Sequence, residues 1–240
     1  MIRFVEETGS TNTDLVDRIK QGEYVAEGDW LVADRQNAGK GRLGRDWFDA
    51  TGNFMGSTVV RVVPGQPAPA SLAFVVALAV HEAVAHFVPL ARRLELKWPN
   101  DLLLDGAKLA GILLEMAGEA VVIGIGVNLV AAPQVPDRRT ASLLRDAGML
   151  VDRDTFAHRL ADCLDRELER WRGAGLAPLL RRWQSVAHPE GTPLRVHPPG
   201  EDPIEGAFAG LSDEGALRLR CGDGVRLIHA GDVFLRDIAG

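Results

Sequence analysis

One short segment combines basic residues with glycine in a way that suits a phosphate-bearing ligand. Residues 35–45 read RQNAGKGRLGR and contain four cations and three glycines. Glycine lets backbone N–H groups approach an anion closely, arginine presents a planar fork to phosphate oxygens, and lysine presents a compact charge. The spacing matches neither a Walker P-loop nor a G-x-G-x-x-G motif. An exposed, flexible basic loop would have the same composition, so the residue types alone leave both interpretations open.

A second group of polar residues lies where apolar strands are predicted to begin. The run KWPND covers residues 97–101, and Lys108 and Gly111 follow it. The residue before a proline is held extended, so this run has a defined direction. A lysine that enters a buried strand can direct its ammonium into a cleft and contact a carboxylate or phosphate oxygen. The alternative is a surface ion pair between Lys97 and Asp101, with Lys108 lying along the surface.

Two further polar segments also have alternative roles. Asn128 follows the apolar run GIGV, where its amide could hydrogen-bond an adenine edge or cap the next loop. The run STN at 10–12 could cap a helix, line a pocket with small polar groups, or do both. Residue types do not decide between these roles.

Hydrophobic periodicity predicts an α+β domain around these segments. Strands are expected at 2–5, 30–33, 54–63, 94–97, 102–104, 109–116 and 120–129. Helices are expected after residue 10 or 11, over 70–88, from 152 or 154 to 171, and over 176–183. The first of these helices should bury Leu15, Val16 and Ile19 on one face.

The hydrophobic pattern of the sequence changes after His188. Short alternating runs follow, separated by turn signals that include PPG at 198–200 and GDG at 222–224. Such a series of short strands is typical of a small β-barrel. We therefore predict two domains, 1–188 and 189–240.

Composition excludes several classes of protein. The net charge of −6 argues against a general nucleic-acid binder. The longest apolar stretch, 72–80, is about half the roughly 20 residues of a membrane span, and the N-terminus has no signal-peptide pattern. Cys163 and Cys221 lack metal-type spacing and are interpreted as reduced thiols of a cytoplasmic protein.

Four sequence blocks, taken in order, resemble the biotin protein ligase family. They are STN at 10–12, QNAGKGRLGRDW at 36–47, KWPNDLLLDGAKLAGILLE at 97–115 and GIGVNL at 124–129. The region after 188 is similar in length and texture only. The resemblance implies a mixed β-sheet packed with helices, as in class II aminoacyl-tRNA synthetases, followed by a small SH3-like β-barrel.

The resemblance also implies an activity in two steps. Biotin and ATP, with Mg²⁺, would give biotinyl-5′-AMP and pyrophosphate. The biotinyl group would then pass to a lysine of a biotin carboxyl carrier protein or domain of a biotin-dependent carboxylase. No side-chain nucleophile is needed, because the mixed anhydride is itself the activated species.

The family's pattern assigns roles to individual residues of this sequence. Lys108 and Arg42 would be catalytic, and Lys97 and Asn128 would contact the nucleotide. No side chain is expected to ligate a metal. The residues expected to contact biotin or biotinyl-AMP are Ser10, Thr11, Asn12, Gln36, Gly39, Lys40, Gly41, Arg42, Trp47, Lys108 and Gly111. Lys40 departs from the family's arginine, which keeps the charge and loses the bidentate fork.

Partners follow from the same resemblance. The chain starts almost directly at the first block, so we expect the form of the family without a DNA-binding domain, with no repressor role, no nucleic-acid partner and no membrane partner. Either a monomer or a homodimer fits. The alternatives are lipoate–protein ligation, which uses the same adenylate chemistry, and a non-catalytic biotin-binding module.

Overall fold

Seven strands of the N-terminal region form one mixed sheet. The computed structural model of the chain describes residues 1–136, 138–222 and 224–235. The strands are β1 Ile2–Thr8, β2 Trp30–Gln36, β3 Phe54–Arg61, β4 Leu94–Lys97, β5 Asp101–Leu104, β6 Ala107–Ala117 and β7 Ala120–Val127. Their spatial order is β1-β2-β3-β7-β6-β5-β4. The β1–β2 pair is parallel, and the other neighbours are antiparallel.

Helices cover both faces of this sheet. They are α1 Thr11–Lys20, α2 Leu72–Ala85, α3 Leu143–Ala147, α4 Arg153–Ala174 and α5 Leu176–Ser185. On one face, Leu15 and Val16 of α1 pack with Val59 and Val122 of the sheet. On the other face lies the larger core, which contains most of α2 and the buried residues of α4. Since successive strand residues point to opposite faces, each central strand contributes to both cores.

Side-chain caps fix where helices α1 and α4 begin. Ser10 Oγ accepts a hydrogen bond from Thr13 N at the start of α1, and Asp152 accepts one from Thr155 N at the start of α4. Each cap satisfies a backbone donor that has no partner within the helix. The cap places residues 10–12 at the start of α1, directly beside the middle strands.

The C-terminal region forms a second, antiparallel sheet. Its strands are β8 Pro193–His197, β9 Ile204–Leu211, β10 Leu217–Cys221, β11 Gly224–Ile228 and β12 Asp232–Leu235, in the spatial order β11-β10-β9-β8-β12. Within the described ranges, no pairing of β11 with β12 closes this sheet into a barrel. The predicted small β-domain is therefore confirmed as an antiparallel sheet. The division at residue 188 stays a prediction.

The two sheets are in direct contact. Trp98 Nε1 donates to Gly215 O at 3.1 Å, and Lys97 Nζ donates to Val233 O at 2.6 Å. Leu96 N donates to Val186 O at 2.8 Å, which binds the chain before the second sheet to strand β4. The end of β4 and the start of β5 are thus enclosed by the C-terminal region.

The predicted elements are confirmed with small changes in their bounds. The structure adds α3, a five-residue helix too short to produce a periodic pattern. Strands β1 and β2 extend further than expected, to Thr8 and Gln36. Of the predicted turn and strand residues at the C-terminus, Asp223 and Arg236 lie outside the described residues. None of the described helices is long and apolar enough to cross a membrane, and both cysteines are free.

Candidate active site

A cavity of about 370 Å³ opens on the face of the sheet that α1 only partly covers. Its floor includes Gly111 of β6 and Gly124 and Gly126 of β7. These three residues have no side chains that would project into the cavity. Every predicted site residue except Gly39 lines this cavity. Arg42 and Lys108, which the sequence places 66 positions apart, therefore share one site.

Uncharged residues form one end of the cavity, which we call the neutral end: Ser10, Thr11, Asn12, Gln36 and Ser57. Thr11 N and Oγ1 both donate to Gln36 Oε1, at 2.7 and 3.0 Å, and Thr11 Oγ1 lies 2.8 Å from Ser57 Oγ. All five residues are buried. The STN segment therefore has both of the roles considered for it, since it caps α1 and also lines the cavity.

The opposite end, which we call the cationic end, contains Arg42, Lys97, Asp101 and Lys108. Asp101 pairs with Lys97 through one oxygen at 2.9 Å and with Lys108 through the other at 2.6 Å. The antiparallel register of β4 and β5 places Lys97 opposite Asp101. Lys97 and Asp101 do form an ion pair, but the prediction that it lies at the surface is wrong. Their side chains are only 9% and 5% exposed.

The charges at the cationic end depend on one another. Burial raises the pKa of the Asp101 carboxyl, but Lys97 and Lys108 outweigh burial and hold that pKa well below its usual range. Asp101 is therefore an anion at neutral pH. It pairs with both lysines, and the formal charges of the three groups sum to +1. Burial lowers the pKa of Lys97, and the Asp101 charge opposes this effect. With Arg42 the cationic end offers a positive field to an incoming anion.

The glycine-rich loop folds back on itself beside this end. Gly41 N donates to Arg45 O at 2.7 Å, and Trp47 N donates to Gly39 O at 2.9 Å. Lys40 lines the cavity and is exposed. Gly39 is buried outside the lining, where an added Cβ would lie 3.1 Å from Gln36 Nε2 and 3.3 Å from Trp47 O.

Two arginines of the loop contact the rest of the protein. Arg42 donates to Asn100 Oδ1 at 3.0 Å and to Gly231 O at 3.5 Å. Arg45 forms a two-pronged ion pair with Asp232 at the start of β12. Burial raises the pKa of Asp232, but its bonds to Arg45 outweigh burial and lower that pKa. The C-terminal sheet thus contributes to the wall of the cavity and holds the loop.

The indole of Trp47 lies against the floor of the cavity. A Cβ built on Gly126 would be 2.1 Å from the indole, and one built on Gly111 would be 2.9 Å from it. Lys108 Nζ lies 5.7 Å from the ring centroid, within the range of a cation–π contact. The two glycines therefore make room for the tryptophan, a contact that the sequence pattern does not reveal.

Asn128 lies at the end of β7 and binds the chain that follows. Its Nδ2 donates to Ala141 O at 3.1 Å. Its Oδ1 is buried, and no donor among the described residues reaches it. The loop-binding alternative therefore holds, and Asn128, which lines the cavity, keeps its Oδ1 available as an acceptor.

Some residues of the cavity are not among the predicted site residues: Ser57, Asn100, Asp101, Arg45 and Asp232. Ser57 stands in an apolar strand, and its signal is a polar side chain on the α1 face of β3. Asp101 belongs to the KWPND segment, but its pairing with both lysines depends on β6 lying beside β5. Asp232 comes from the second sheet, and no local pattern links it to the loop.

Comparison with known proteins agrees with this arrangement. Residues 4–128 match the biotin/lipoate A/B protein ligase family, and residues 195–236 match the biotin protein ligase C-terminal domain. The chain therefore belongs to the biotin/lipoate A/B protein ligase family. The second match identifies the C-terminal sheet as the C-terminal domain of biotin protein ligases. Together the two matches confirm the resemblance to that family that the four sequence blocks indicated.

Individual relatives support the same membership. The chain is 39% identical to the biotin–[acetyl-CoA-carboxylase] ligase of Paracoccus denitrificans, over 95% of this chain and 97% of that one. It is 38% identical to the corresponding ligase of Mycobacterium tuberculosis, over 95% and 86%. Its structure resembles biotin protein ligase from Aquifex aeolicus in complex with biotin and ATP, with a TM-score of 0.85, 26% identity and 98% coverage of both chains.

Proposed function

We propose that this chain activates biotin with ATP and transfers the biotinyl group to a lysine of a biotin carboxyl carrier protein. The observation that carries this proposal is the single cavity that joins a buried neutral end to a cationic end. An apolar acid with a polar head group and a nucleotide phosphate need these two environments side by side. Two relatives are biotin–[acetyl-CoA-carboxylase] ligases, which supports biotin as the acid and a carboxylase as the source of the acceptor lysine.

The first step joins two anions, so charge must be offset before a bond can form. A carboxylate oxygen of biotin attacks the α-phosphorus of ATP, the bond to the β-phosphate oxygen breaks, and pyrophosphate leaves. Arg42 and Lys108 face the point where these groups meet, and they stabilise the negative charge that develops on the phosphate oxygens. Lys97 adds to this field and holds Asp101 in place.

The second step needs an amine and a dry site. The neutral ε-amine of the acceptor lysine attacks the biotinyl carbonyl carbon, AMP leaves, and the nitrogen loses a proton. Water would hydrolyse the mixed anhydride, so the glycine-rich loop has to cover it during the transfer. Arg45 and Asp232 support this role, since their ion pair holds the loop against the second sheet.

The contacts of each ligand part follow from the two ends of the cavity. We assign the biotin ring to the neutral end, with Thr11, Asn12 and Gln36 as its polar contacts. Lys40, Gly41 and the backbone around Gly39 are assigned to the loop that covers biotin and the phosphate, and Gly111 leaves space beside Lys108. Trp47 and the free Oδ1 of Asn128 are assigned to the nucleotide side.

Magnesium enters this reaction with the nucleotide. In the described part of the chain, no group of three or more His, Cys, Asp or Glu side chains is placed to hold a metal ion. Mg²⁺ commonly binds one or two carboxylates together with substrate phosphates and water, and it neutralises part of the triphosphate charge. Asp46, Asp101 and Asp232 are the carboxylates that line the cavity, and cations engage Asp101 and Asp232.

The test is an assay with purified protein, ATP and Mg²⁺. We expect pyrophosphate release with biotin, and a carrier domain that gains the mass of one biotinyl group at its lysine. A carrier domain with that lysine replaced by arginine is the control. Pyrophosphate release with lipoate and not with biotin would establish the lipoate alternative, which the matched family also includes. Tight biotin binding without pyrophosphate release would establish a non-catalytic module.

Three other statements about the chain stay predictions. The cytoplasmic location is supported by the two free cysteines. The absence of a nucleic-acid partner and of a repressor role is supported by the net charge of −6. A homodimer and a monomer are distinguished by light scattering with and without biotin and ATP.

A further inference from the structure

Glu115 is linked to the neutral end of the cavity by a hydrogen bond from Asn12. It lies on β6 and is not part of the cavity lining. Its Oε2 accepts a hydrogen bond from Nδ2 of Asn12, which is 3% exposed and lines the cavity. The glutamate therefore acts on the pocket by fixing the amide of Asn12.

A carboxylate can orient an asparagine amide in one way only. A carboxylate oxygen accepts hydrogen bonds, so the side of the amide that faces it must be the NH₂ group. The Oδ1 of Asn12 is then directed away from Glu115. An added Cβ on Gly124 would lie 2.9 Å from this oxygen, which places it beside the glycine floor of the cavity.

This oxygen is a buried acceptor that lacks a donor. It is buried from solvent, and no hydrogen-bond donor among the described residues reaches it. Its neighbours at the neutral end are different, because Thr11, Gln36 and Ser57 already hydrogen-bond to one another. A buried carbonyl without a partner costs free energy, and an N–H group on the ligand would remove that cost.

We propose that Glu115 is a positioning residue that holds Asn12 Oδ1 as the acceptor for one ureido N–H of biotin. This inference rests on the proposed function and adds a specificity determinant to it. The ureido ring carries two N–H donors and one carbonyl acceptor. An acceptor locked in place accepts a ring N–H at that position and disfavours a ring oxygen there, because two acceptors would then face each other without a proton.

The test measures equilibrium binding, without ATP, by titration calorimetry. The ligands are biotin and its two cyclic carbamate analogues, in each of which one ureido N–H is replaced by a ring oxygen. For wild-type protein we expect one analogue to bind about tenfold or more weakly than the other, a difference of about 1.4 kcal/mol. In Glu115→Gln the amide of Asn12 can turn over, because glutamine both donates and accepts, so the ratio should fall to about two.

Matched variants separate positioning from a structural role. Glu119→Gln changes an exposed glutamate at the turn after β6 and should keep the wild-type ratio. Asn12→Ala removes the acceptor and should lose the preference even if Glu115→Gln folds poorly. If Glu115→Gln weakens all three ligands equally, its role is structural and the proposal is overturned, as it is if the ratio does not change.

The outcome is distinguishable from failure of the proposed function. A wild-type protein that binds biotin but releases no pyrophosphate would refute the ligase activity while the binding ratio still tests Glu115. A wild-type protein that does not bind biotin would overturn both.

Discussion

At its neutral end the cavity is walled by the start of a helix and by the middle of a sheet, whereas at its cationic end it is walled by a loop, two strand ends and the second sheet. Hydrogen bonds among buried residues fix the neutral end. Ion pairs between separate parts of the chain fix the cationic end. Under the proposed function, recognition of the acid is therefore largely preformed, while the charges for catalysis depend on how these parts are assembled.

The largest effect should come from removing the charge of Lys108 at the cationic end, which we propose to be catalytic. Lys108→Ala should slow biotin-dependent pyrophosphate exchange by about 10²–10³-fold, the usual cost of losing one group that stabilises transition-state charge. Biotin binding without ATP should change little, because the neutral end is intact. Lys20→Ala, at the end of α1, is the control. Unchanged exchange in Lys108→Ala would remove it from the catalytic residues.

The second prediction concerns His188, which lies behind the cationic end, and the pH dependence of stability. Its ring is buried against Phe208, and neither nitrogen has a hydrogen-bond partner among the described residues. Burial, with a smaller contribution from the Lys97 charge, lowers its pKa to about 4. The unfolded chain, with a histidine pKa of about 6.5, therefore binds more protons between these values.

It follows that the free energy of unfolding should fall as the pH drops from about 6.5 to 4, by up to about 3 kcal/mol from this residue. Denaturant unfolding of His188→Phe should show a smaller loss over the same range. The exposed His86→Gln variant should behave like wild type. An equal loss of stability in wild type and His188→Phe would mean that His188 does not contribute to the pH dependence.

A smaller effect is expected at the neutral end. Thr11→Val keeps the shape of the side chain and removes the hydroxyl that contacts Gln36 and Ser57. Gln36 Oε1 keeps its bond from Thr11 N, but Ser57 Oγ loses its contact with Thr11. Biotin binding should weaken about tenfold, since a lost buried hydrogen bond costs about 1–3 kcal/mol. The rate at saturating biotin should stay close to that of wild type. A large loss of that rate with unchanged binding would contradict the separation of the two ends.

The smallest effect should come from the contact between the loop and the second sheet. Asp232→Asn removes the charge that pairs with Arg45, whose side chain is 47% exposed. Exposed ion pairs contribute less than about 1 kcal/mol, so adenylate formation should slow by about threefold to fivefold. Limited proteolysis at Arg42 and Arg45 should become faster, and biotin with ATP should slow it again. Identical cleavage of wild type and Asp232→Asn would show that the ion pair does not hold the loop.

Local patterns predicted most of the fold and much of the site. The spacing of apolar residues located α4, and the serine at 10 located the start of α1, because both signals lie within a few residues of the feature. Contacts between distant residues could not be obtained in this way. Asp232 meets Arg45, and Glu115 meets Asn12, only after two sheets and a helix have packed, and nothing in the neighbouring sequence records the encounter.

The burial of the Lys97–Asp101 pair shows the same limit in another form. Charge and spacing indicated that the two residues could pair, but a surface position was the simpler expectation for them. The C-terminal sheet changes that expectation, since Val233 lies over Lys97 and accepts its hydrogen bond. Whether an ion pair is buried depends on what covers it, which a local pattern does not contain.

The glycines of the cavity floor also bear on engineering of substrate size. Three strand positions of this floor carry no side chain, so Trp47 packs closely over Gly111 and Gly126, and Asn12 over Gly124. A methyl group added at Gly111 would lie 3.2 Å from Lys108 Nζ and 2.9 Å from the indole of Trp47. A single carbon added at Gly111 would therefore have to be combined with a smaller residue at 47, and the two changes together would reshape the nucleotide side of the cavity, to which Trp47 is assigned.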